Sequence, residues 1–280
     1  MKKIGFVDYY ISEWHANNYP DWIKMANKKL GTDFVLSYAW AQKDISPNDN
    51  VTTDEWCEKY GVEKCNTIEE LCEKSDYILI LAPSNPETHL EYAKAVLPFG
   101  KPTYIDKTFA PDYETAKQIF QIAKQYNTPF FSTSALRFAN ELDTFKGLKN
   151  AIITGGGGNF HEYMIHPIEM FVTMFSDKVT SVKVETMGAS RICYLKTLNG
   201  FESSIIYSPQ LSFSVAAQMS DSEFSKKEIT SDFFVNLLEK MMDFFKTNKE
   251  PFNPAETLEV MRIRDALISA EKNNGVWLEI

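Results

Sequence analysis

The chain has 280 residues and a formal net charge of −9, with 44% hydrophobic and 24% charged residues. This length accommodates two domains of modest size, and the composition is that of a globular protein. The acidic balance argues against nucleic acid as a partner, because its phosphates would be repelled. No apolar run is long enough to span a membrane, and the amino terminus becomes acidic at Asp8, too early for a signal peptide. We therefore expect a cytoplasmic protein without a membrane or nucleic-acid partner.

The first half of the chain alternates short apolar segments with amphipathic ones. The pattern predicts strands at residues 4–7, 34–40, 77–81, 103–106 and 129–132, and helices at residues 19–30, 53–60, 67–73, 87–97 and 113–126. Segment 77–81 is almost wholly apolar, which is typical of a strand buried on both faces. The alternation predicts a Rossmann-type, doubly wound parallel sheet with helices on both faces, in an α/β domain over residues 1–137.

The pattern changes in the second half of the chain. A helical stretch at 162–175 precedes strand-like segments at 179–186, 191–197, 201–207 and 211–217, then helices at 231–247 and 254–273 and a last strand at 276–280. Asn199-Gly200 is a strong hairpin signal between two of these strands. Residues 138–280 are therefore expected to form a smaller α+β domain with a mainly antiparallel open sheet. The alternation in segments 203–207 and 212–215 leaves apolar groups on the face that the helix does not cover, which predicts a homodimer through that face.

Five motifs follow one another along the chain. Segment 79–89 reads LILAPSNPETH, segment 100–108 reads GKPTYIDKT, and segment 134–138 reads SALRF. Glu162, His166 and Glu169 then share one helical face after a glycine run, and segment 251–277 closes the chain. In this order the motifs resemble those of the glucose-fructose oxidoreductase and inositol dehydrogenase family. The resemblance implies a dehydrogenase that uses NAD or NADP and takes a sugar, polyol or related hydroxy compound as its small-molecule substrate.

Several residues are candidates for the chemistry of such an enzyme. Histidine removes a proton near neutral pH without perturbation, so His166 is a candidate base, and Glu162 on the same helical face is placed to orient its ring. The resemblance implies that Lys107 is the second catalytic residue. The candidate substrate residues are Arg137, His15 and Glu169. The cofactor side is expected to be formed by Asp8, Tyr10, Ala82, Pro83, Asn85 and Asp106.

The first turn departs from the family pattern. The family carries G-x-G-x-x-G there, and by position Asp8, Tyr10 and Glu13 replace the three glycines. A carboxylate beside a pyrophosphate is repulsive, and a tyrosine side chain obstructs its close approach. Two functions therefore stay open, an NAD(P)-dependent dehydrogenase and a non-catalytic ligand-binding or regulatory protein that has lost dinucleotide binding. Lys107 and His166 favour the dehydrogenase, whereas the missing glycines favour the binding protein.

A metal site is not expected. Segment 161–166 reads HEYMIH, which is one residue longer than the zinc-binding H-E-x-x-H motif, so its two histidines do not share a helix face. A divalent ion held by Glu162, His166 and Glu169 is the alternative that the residue types leave open.

Overall fold

The computed structural model describes residues 1–145, 148, 150–175, 177–220 and 223–280. The chain divides into two compact units, the first made of Met1–Thr133 and Phe234–Pro254 and the second of Ser134–Phe233 and Ala255–Ile280. The domain boundary expected after residue 137 stays a prediction, because compactness does not establish which segments fold independently. Within the described residues, no helix combines the length and the apolar character needed to cross a membrane.

The helices begin and end at local signals in the sequence. Thr52 and Asp112 cap the helices Thr53–Tyr60 and Tyr113–Tyr126 with side-chain oxygens, and Gly31 and Gly61 end the helices Trp14–Leu30 and Thr53–Tyr60 in the left-handed conformation. The helices are α1 (Trp14–Leu30), α2 (Thr53–Tyr60), α3 (Ile68–Lys74), α4 (His89–Val96), α5 (Tyr113–Tyr126), α6 (Phe160–Tyr163), α7 (Ile165–Met174), α8 (Phe233–Thr247) and α9 (Ala255–Glu271).

The strands form two sheets, one in each unit. They are β1 (Lys2–Tyr10), β2 (Phe34–Lys43), β3 (Glu63–Lys64), β4 (Tyr77–Ile80), β5 (Thr103–Ile105), β6 (Phe130–Phe131), β7 (Asn150–Gly155), β8 (Val179–Met187), β9 (Ser190–Thr197), β10 (Glu202–Tyr207), β11 (Ser214–Gln218), β12 (Phe224–Glu228) and β13 (Leu278–Glu279).

The first unit holds a six-stranded parallel sheet in the order β3-β2-β1-β4-β5-β6. This is the predicted Rossmann-type architecture, in which the strand order reverses between β1 and β4. Helix α8 also packs in this unit, although it comes from late in the chain. Its Phe234 ring stacks on Trp22 at 4.3 Å between centroids, and its Phe245 ring stacks on Tyr77 at 4.6 Å.

Two predicted elements that carry candidate site residues have different bounds in the structure. Strand β1 was expected to end at residue 7 but continues to Tyr10, because Asp8 and Tyr10 still pair with Ala41 and Lys43 of β2. The turn after β1 is displaced accordingly. The predicted helix 162–175 is two helices, α6 and α7, which meet at Met164. Pro167, in the first turn of α7, has no N–H to donate to the preceding turn.

The second unit holds a seven-stranded sheet in the order β12-β11-β7-β10-β9-β8-β13. Its pairs are antiparallel except for the parallel pair β7–β10, which confirms the mainly antiparallel sheet. Helices α7 and α9 pack against β7 and β8 of this sheet. Side chains on β7, β9 and β10 alternate between buried and partly exposed, so one sheet face is covered and the other is open.

The open face of this sheet carries an apolar group of residues. Ile206 lies opposite Ile192 of β9 and Thr154 of β7 in the strand register, and Ile152 lies opposite Ala216 of β11. Ile152 is 49% exposed. We propose that two copies of the chain pair through this face, because contiguous apolar surface on a sheet usually marks an interface.

The dimer proposal can be tested by light scattering at micromolar concentration. The wild-type mass should be twice 32.1 kDa. Ile206→Lys should shift the mass to that of one chain, because pairing would bury an unpartnered ammonium group. Val35→Lys, on β2 of the first unit, is a control that should leave the mass unchanged. A monomeric wild-type protein would contradict the proposal.

Candidate functional site

The carboxyl edge of the parallel sheet brings three predicted cofactor residues together. Val7, Ile80 and Ile105 lie side by side in the strand register, so Asp8, Ala82 and Asp106 come one or two residues later on three adjacent strands. Asp8 is still within the last residues of β1, and the other two come just after β4 and β5. Open α/β sheets bind their ligands outside the carboxyl ends of strands, at the point where the strand order reverses. Here that point lies between β1 and β4.

Asp8 bridges the two strands at the reversal point. Its Oδ1 accepts the backbone N–H groups of Tyr9, at 2.7 Å, and of Ala82, at 3.0 Å. Its Oδ2 has no hydrogen-bond partner among the described residues. Burial, followed by the nearby charge of Glu13, raises the pKa of the Asp8 carboxyl well above its usual value. The carboxyl group of Asp8 therefore lies across the crevice between β1 and β4.

Glu13 caps the amino terminus of α1. Its carboxylate accepts the backbone N–H of His15 at 2.7 Å and also that of Ala16. The first amides of a helix have no partner within the helix, and the positive end of the helix dipole favours an anion beside them. Burial raises the pKa of Glu13, although the neighbouring His15 opposes the shift. The helix terminus that could receive a phosphate thus already holds a carboxylate of the chain itself.

His15 connects this helix terminus to the end of β5. Its Nδ1 lies 3.0 Å from Asp106 Oδ2, within ion-pair distance but outside hydrogen-bond geometry, and 3.8 Å from Glu13 Oε2. Asp106 Oδ1 also accepts the hydroxyl of Tyr104 at 2.9 Å. Burial acts to raise the pKa of Asp106, but His15, Lys107 and Tyr104 together lower it to about 2. Asp106 is therefore ionised at neutral pH.

Lys107 and Thr108 directly follow Asp106 on the loop after β5. Lys107 is half-buried, and its peptide bond to Thr108 is cis. Thr108 is only 1% exposed, and its hydroxyl has no hydrogen-bond partner among the described residues. The loop thus places one cation and one unpartnered hydroxyl beside the ionised Asp106.

His89, which was not among the predicted site residues, holds this loop in place. Its Nε2 lies 2.7 Å from the carbonyl oxygen of Leu81, and its Nδ1 lies 3.0 Å from that of Phe109. The side chain is fully buried, and burial lowers the pKa of its imidazole. His89 therefore links the loop after β4 to the loop that carries Lys107. The sequence feature that could have identified His89 as a site residue is its position at the start of α4.

The remaining predicted cofactor residues lie near the same edge. Tyr10 is the last residue of β1, and Pro83 is buried in the loop after β4. Asn85 donates from its side-chain amide to Glu87 at 2.9 Å. At the end of β2, where Rossmann folds place the ribose ligand, Gln42 accepts the hydroxyl of Tyr92 at 2.7 Å. The side-chain oxygen of Gln42, at the position where a ribose would bind, is thus already hydrogen-bonded to Tyr92.

Within the second unit, the predicted residues make polar contacts with one another and with two further residues. Ser134 Oγ lies 2.7 Å from His166 Nδ1, so Ser134 contacts the ring of the candidate base. Arg137 forms ion pairs with Glu169 and with Glu256, the latter at 2.6 Å, and both Arg137 and Glu169 are buried. Ser134 and Glu256 lie within two of the family-like motifs, but they were not predicted as site residues, because the sequence does not show that they contact His166 or Arg137.

Glu162 has a helix-capping neighbour. The Asn159 side chain accepts the backbone N–H of Glu162 and donates to its carboxylate, both at 2.9 Å. Glu162 also lies in α6 whereas His166 lies in α7, so the single helical face expected for the two residues is interrupted. Among the described residues, no group of His, Cys, Asp and Glu side chains is arranged to hold a metal ion.

Comparison with known proteins supports the predicted resemblance. Residues 39–133 match the oxidoreductase family with an NAD-binding Rossmann fold, the family of glucose-fructose oxidoreductase and inositol dehydrogenase. The uncharacterized oxidoreductase YhhX of Escherichia coli is 29% identical over 99 residues, which span 35% of this chain and 28% of that protein. The match thus covers little more than a quarter of the relative.

Solved structures with the same fold cover almost the whole chain. Scyllo-inositol dehydrogenase from Lactobacillus casei superposes with a TM-score of 0.73 at 13% identity, covering 99% of this chain and 98% of that one. UDP-N-acetylglucosamine 3-dehydrogenase from Acidithiobacillus ferrooxidans gives a TM-score of 0.77 at 10% identity, covering 96% and 97%. The predicted family resemblance is confirmed, by sequence over residues 39–133 and by fold over the chain.

The residues at the sheet edge do not fit a dinucleotide in the position that Rossmann folds use. A pyrophosphate normally takes the free amides at the start of the first helix, where it needs close approach to the backbone. Here Glu13 takes those amides, Asp8 lies across the neighbouring crevice, and Gln42 at the ribose position is bonded to Tyr92. The family match begins at residue 39, after all of the first turn.

Removing the Glu13 charge should open the helix terminus to a pyrophosphate. Glu13→Ser keeps a good capping residue but removes the anion, so NAD⁺ and NADP⁺ affinity should rise at least tenfold in calorimetry. Glu73→Ser, which removes an exposed charge at the carboxyl end of α3, is the control and should change nothing. Sub-micromolar binding of either dinucleotide by the wild-type protein would show that Glu13 does not block the site.

The raised pKa of Asp8 makes a prediction about stability and pH. A carboxyl group whose pKa rises on folding stabilises the protein at low pH, and this contribution is lost as pH rises through the folded-state pKa. Asp8→Asn keeps the acceptor for Tyr9 and Ala82 but cannot ionise. Its melting temperature should therefore exceed that of the wild type increasingly as pH rises from about 4 to about 8.

Thermal unfolding in buffers across this pH range measures the effect. Asp21→Asn, a substitution of an exposed aspartate in α1, is the matched control and should track the wild type. If the curves of Asp8→Asn and the wild type stay parallel at every pH, the carboxyl of Asp8 is not held in its neutral form.

Proposed function

We propose that the protein binds a sugar, polyol or related hydroxy compound, as a ligand-binding or regulatory protein built on an oxidoreductase scaffold that has lost dinucleotide binding. The observation that carries this proposal is the Glu13 carboxylate on the first amides of α1. Two like charges about 4 Å apart repel by roughly 4 kcal/mol at the effective dielectric constant of a protein surface. A pyrophosphate at the same amides would meet this repulsion, whereas an uncharged hydroxyl group would not.

The polar groups at the sheet edge suit a hydroxylated ligand. Asp8 and Asp106 present carboxyl oxygens, Thr108 presents a hydroxyl, and Lys107 presents a cation. A hydroxyl group both donates and accepts, so one ligand hydroxyl can serve an acid and a cation together. Hydrogen bonds to charged groups contribute about 1.5–3 kcal/mol each, which suffices for specific binding of a small polyol.

A second candidate function is an NAD(P)-dependent dehydrogenase that acts on a CH–OH group. It is favoured by the family match over residues 39–133 and by Lys107, which lies at the carboxyl end of a parallel strand. In this candidate His166 takes the hydroxyl proton, Lys107 relays it or polarises the hydroxyl oxygen, and Ser134 orients the imidazole through Nδ1. A hydride acceptor is also required, and NAD or NADP is the one that the resemblance implies. The cytoplasmic location stays a prediction.

Two substitutions separate the candidates. Lys107→Met and His166→Ala each remove one proton-transferring group. If the protein is a dehydrogenase, each should lower kcat by roughly 10²- to 10⁴-fold, measured as reduction of NAD⁺ or NADP⁺ with inositol or glucose as substrate. If it is a binding protein, no reduction occurs with any of these polyols, and Lys107→Met weakens ligand binding in calorimetry instead.

Two further variants control this experiment. Lys124→Met and His161→Ala replace exposed residues of the same types and should behave as the wild type in both assays. Reduction of a dinucleotide by the wild-type protein with a polyol, lost in Lys107→Met but kept in Lys124→Met, would overturn the binding proposal in favour of the dehydrogenase.

A further inference from the structure

Two buried polar atoms at the carboxyl edge of the parallel sheet have no hydrogen-bond or ion-pair partner among the described residues. They are Asp8 Oδ2 and Thr108 Oγ1, on side chains that are each 1% exposed. Asp106 Oδ2, also buried, has only His15 Nδ1 beside it, at 3.0 Å. A buried polar group without a partner costs about 1–3 kcal/mol, so such groups are rare in native structures and usually have a function. Two of them at one edge of the sheet point to a ligand that supplies the missing bonds.

The charges around these atoms restrict the ligand. Glu13 and Asp106 both act on the carboxyl of Asp8, which places three acidic side chains close enough to affect one another. Lys107 is the cation beside them, and His15 lies within ion-pair distance of Asp106. A phosphate would add negative charge to this acidic group and would be repelled. A ligand without negative charge would not.

We infer that this edge is a hydroxyl-binding site for an unphosphorylated polyol, in which Asp8, Asp106 and Thr108 hold hydroxyl groups of the ligand. The site occupies the crevice in which NAD-binding Rossmann folds hold a pyrophosphate. The inference rests on the proposed ligand-binding function. It adds where the ligand binds and that the ligand carries no negative charge. It also accounts for Thr108, whose buried hydroxyl would otherwise destabilise the loop after β5.

The preferred charge of the ligand is tested by calorimetry with small polyols and sugars that differ in charge. Glucose and myo-inositol are neutral, glucose 6-phosphate adds a dianion, and glucosamine adds a cation. The neutral probes should bind, and glucose 6-phosphate should bind at least tenfold more weakly than glucose. Glucosamine should bind at least as well as glucose. Equal or tighter binding of glucose 6-phosphate, or no binding of any probe, would overturn the inference.

The location is tested by two substitutions that each remove an unpartnered buried hydroxyl. Thr108→Val keeps the shape of the side chain, and Ser75→Ala removes the unpartnered hydroxyl that precedes β4, at the opposite edge of the same sheet. Neither hydroxyl has a bond to lose, so both variants should be at least as stable as the wild type. Only Thr108→Val should weaken polyol binding, by at least tenfold.

The results separate this inference from the proposed function. If polyols bind the wild type and Thr108→Val equally well, the protein is a polyol-binding protein but its site lies elsewhere, and the inference is wrong. If the wild type reduces a dinucleotide with a polyol, the proposed function is wrong whatever Thr108→Val does. Weaker binding in Thr108→Val, unchanged binding in Ser75→Ala and no dinucleotide reduction would support both.

Discussion

The amino terminus of α1 presents free backbone amides at the positive end of a helix dipole, next to the reversal point of a parallel sheet. Hydrogen-bond acceptors have to satisfy them, and in this protein the Glu13 carboxylate does so from within the chain. The arrangement depends on β1 continuing to Tyr10, since the longer strand moves the turn and brings Glu13 to the capping position. His15, two residues further on, then reaches Asp106 at the end of β5. The polar groups at the sheet edge thus follow from one capping interaction.

The two aspartates at this edge show how neighbouring groups determine whether a buried carboxyl group is ionised. Both are almost fully buried, which by itself favours the neutral acid. Asp106 has His15, Lys107 and the Tyr104 hydroxyl beside it, and its pKa falls to about 2. Asp8 has backbone amides on one oxygen but acidic neighbours, and its pKa rises. The edge therefore combines an ionised acceptor with a carboxyl group that favours its neutral form.

Much of the fold followed from local patterns, whereas the chemistry of the edge did not. The alternation of apolar and amphipathic segments predicted the parallel sheet, and Asn199-Gly200 lies at the turn between the antiparallel strands β9 and β10. The motif order identified Lys107 and His166 as candidates, but their roles stay predictions. Asp8 to Glu13 was interpreted as a turn by comparison with a glycine motif, although tyrosines favour a strand. Contacts such as Ser134 with His166 join distant segments, and no spacing rule predicts them.

Helix α8 has a consequence for how the protein is made. In the first unit, the rings that stack on Trp22 and Tyr77 are Phe234 and Phe245, which lie about 100 residues beyond Thr133. At roughly 5–20 residues per second, a ribosome needs about 5–20 s to add that stretch. During this interval the nascent sheet exposes rings that are stacked in the finished protein. The first 133 residues alone therefore lack aromatic packing that the finished unit contains.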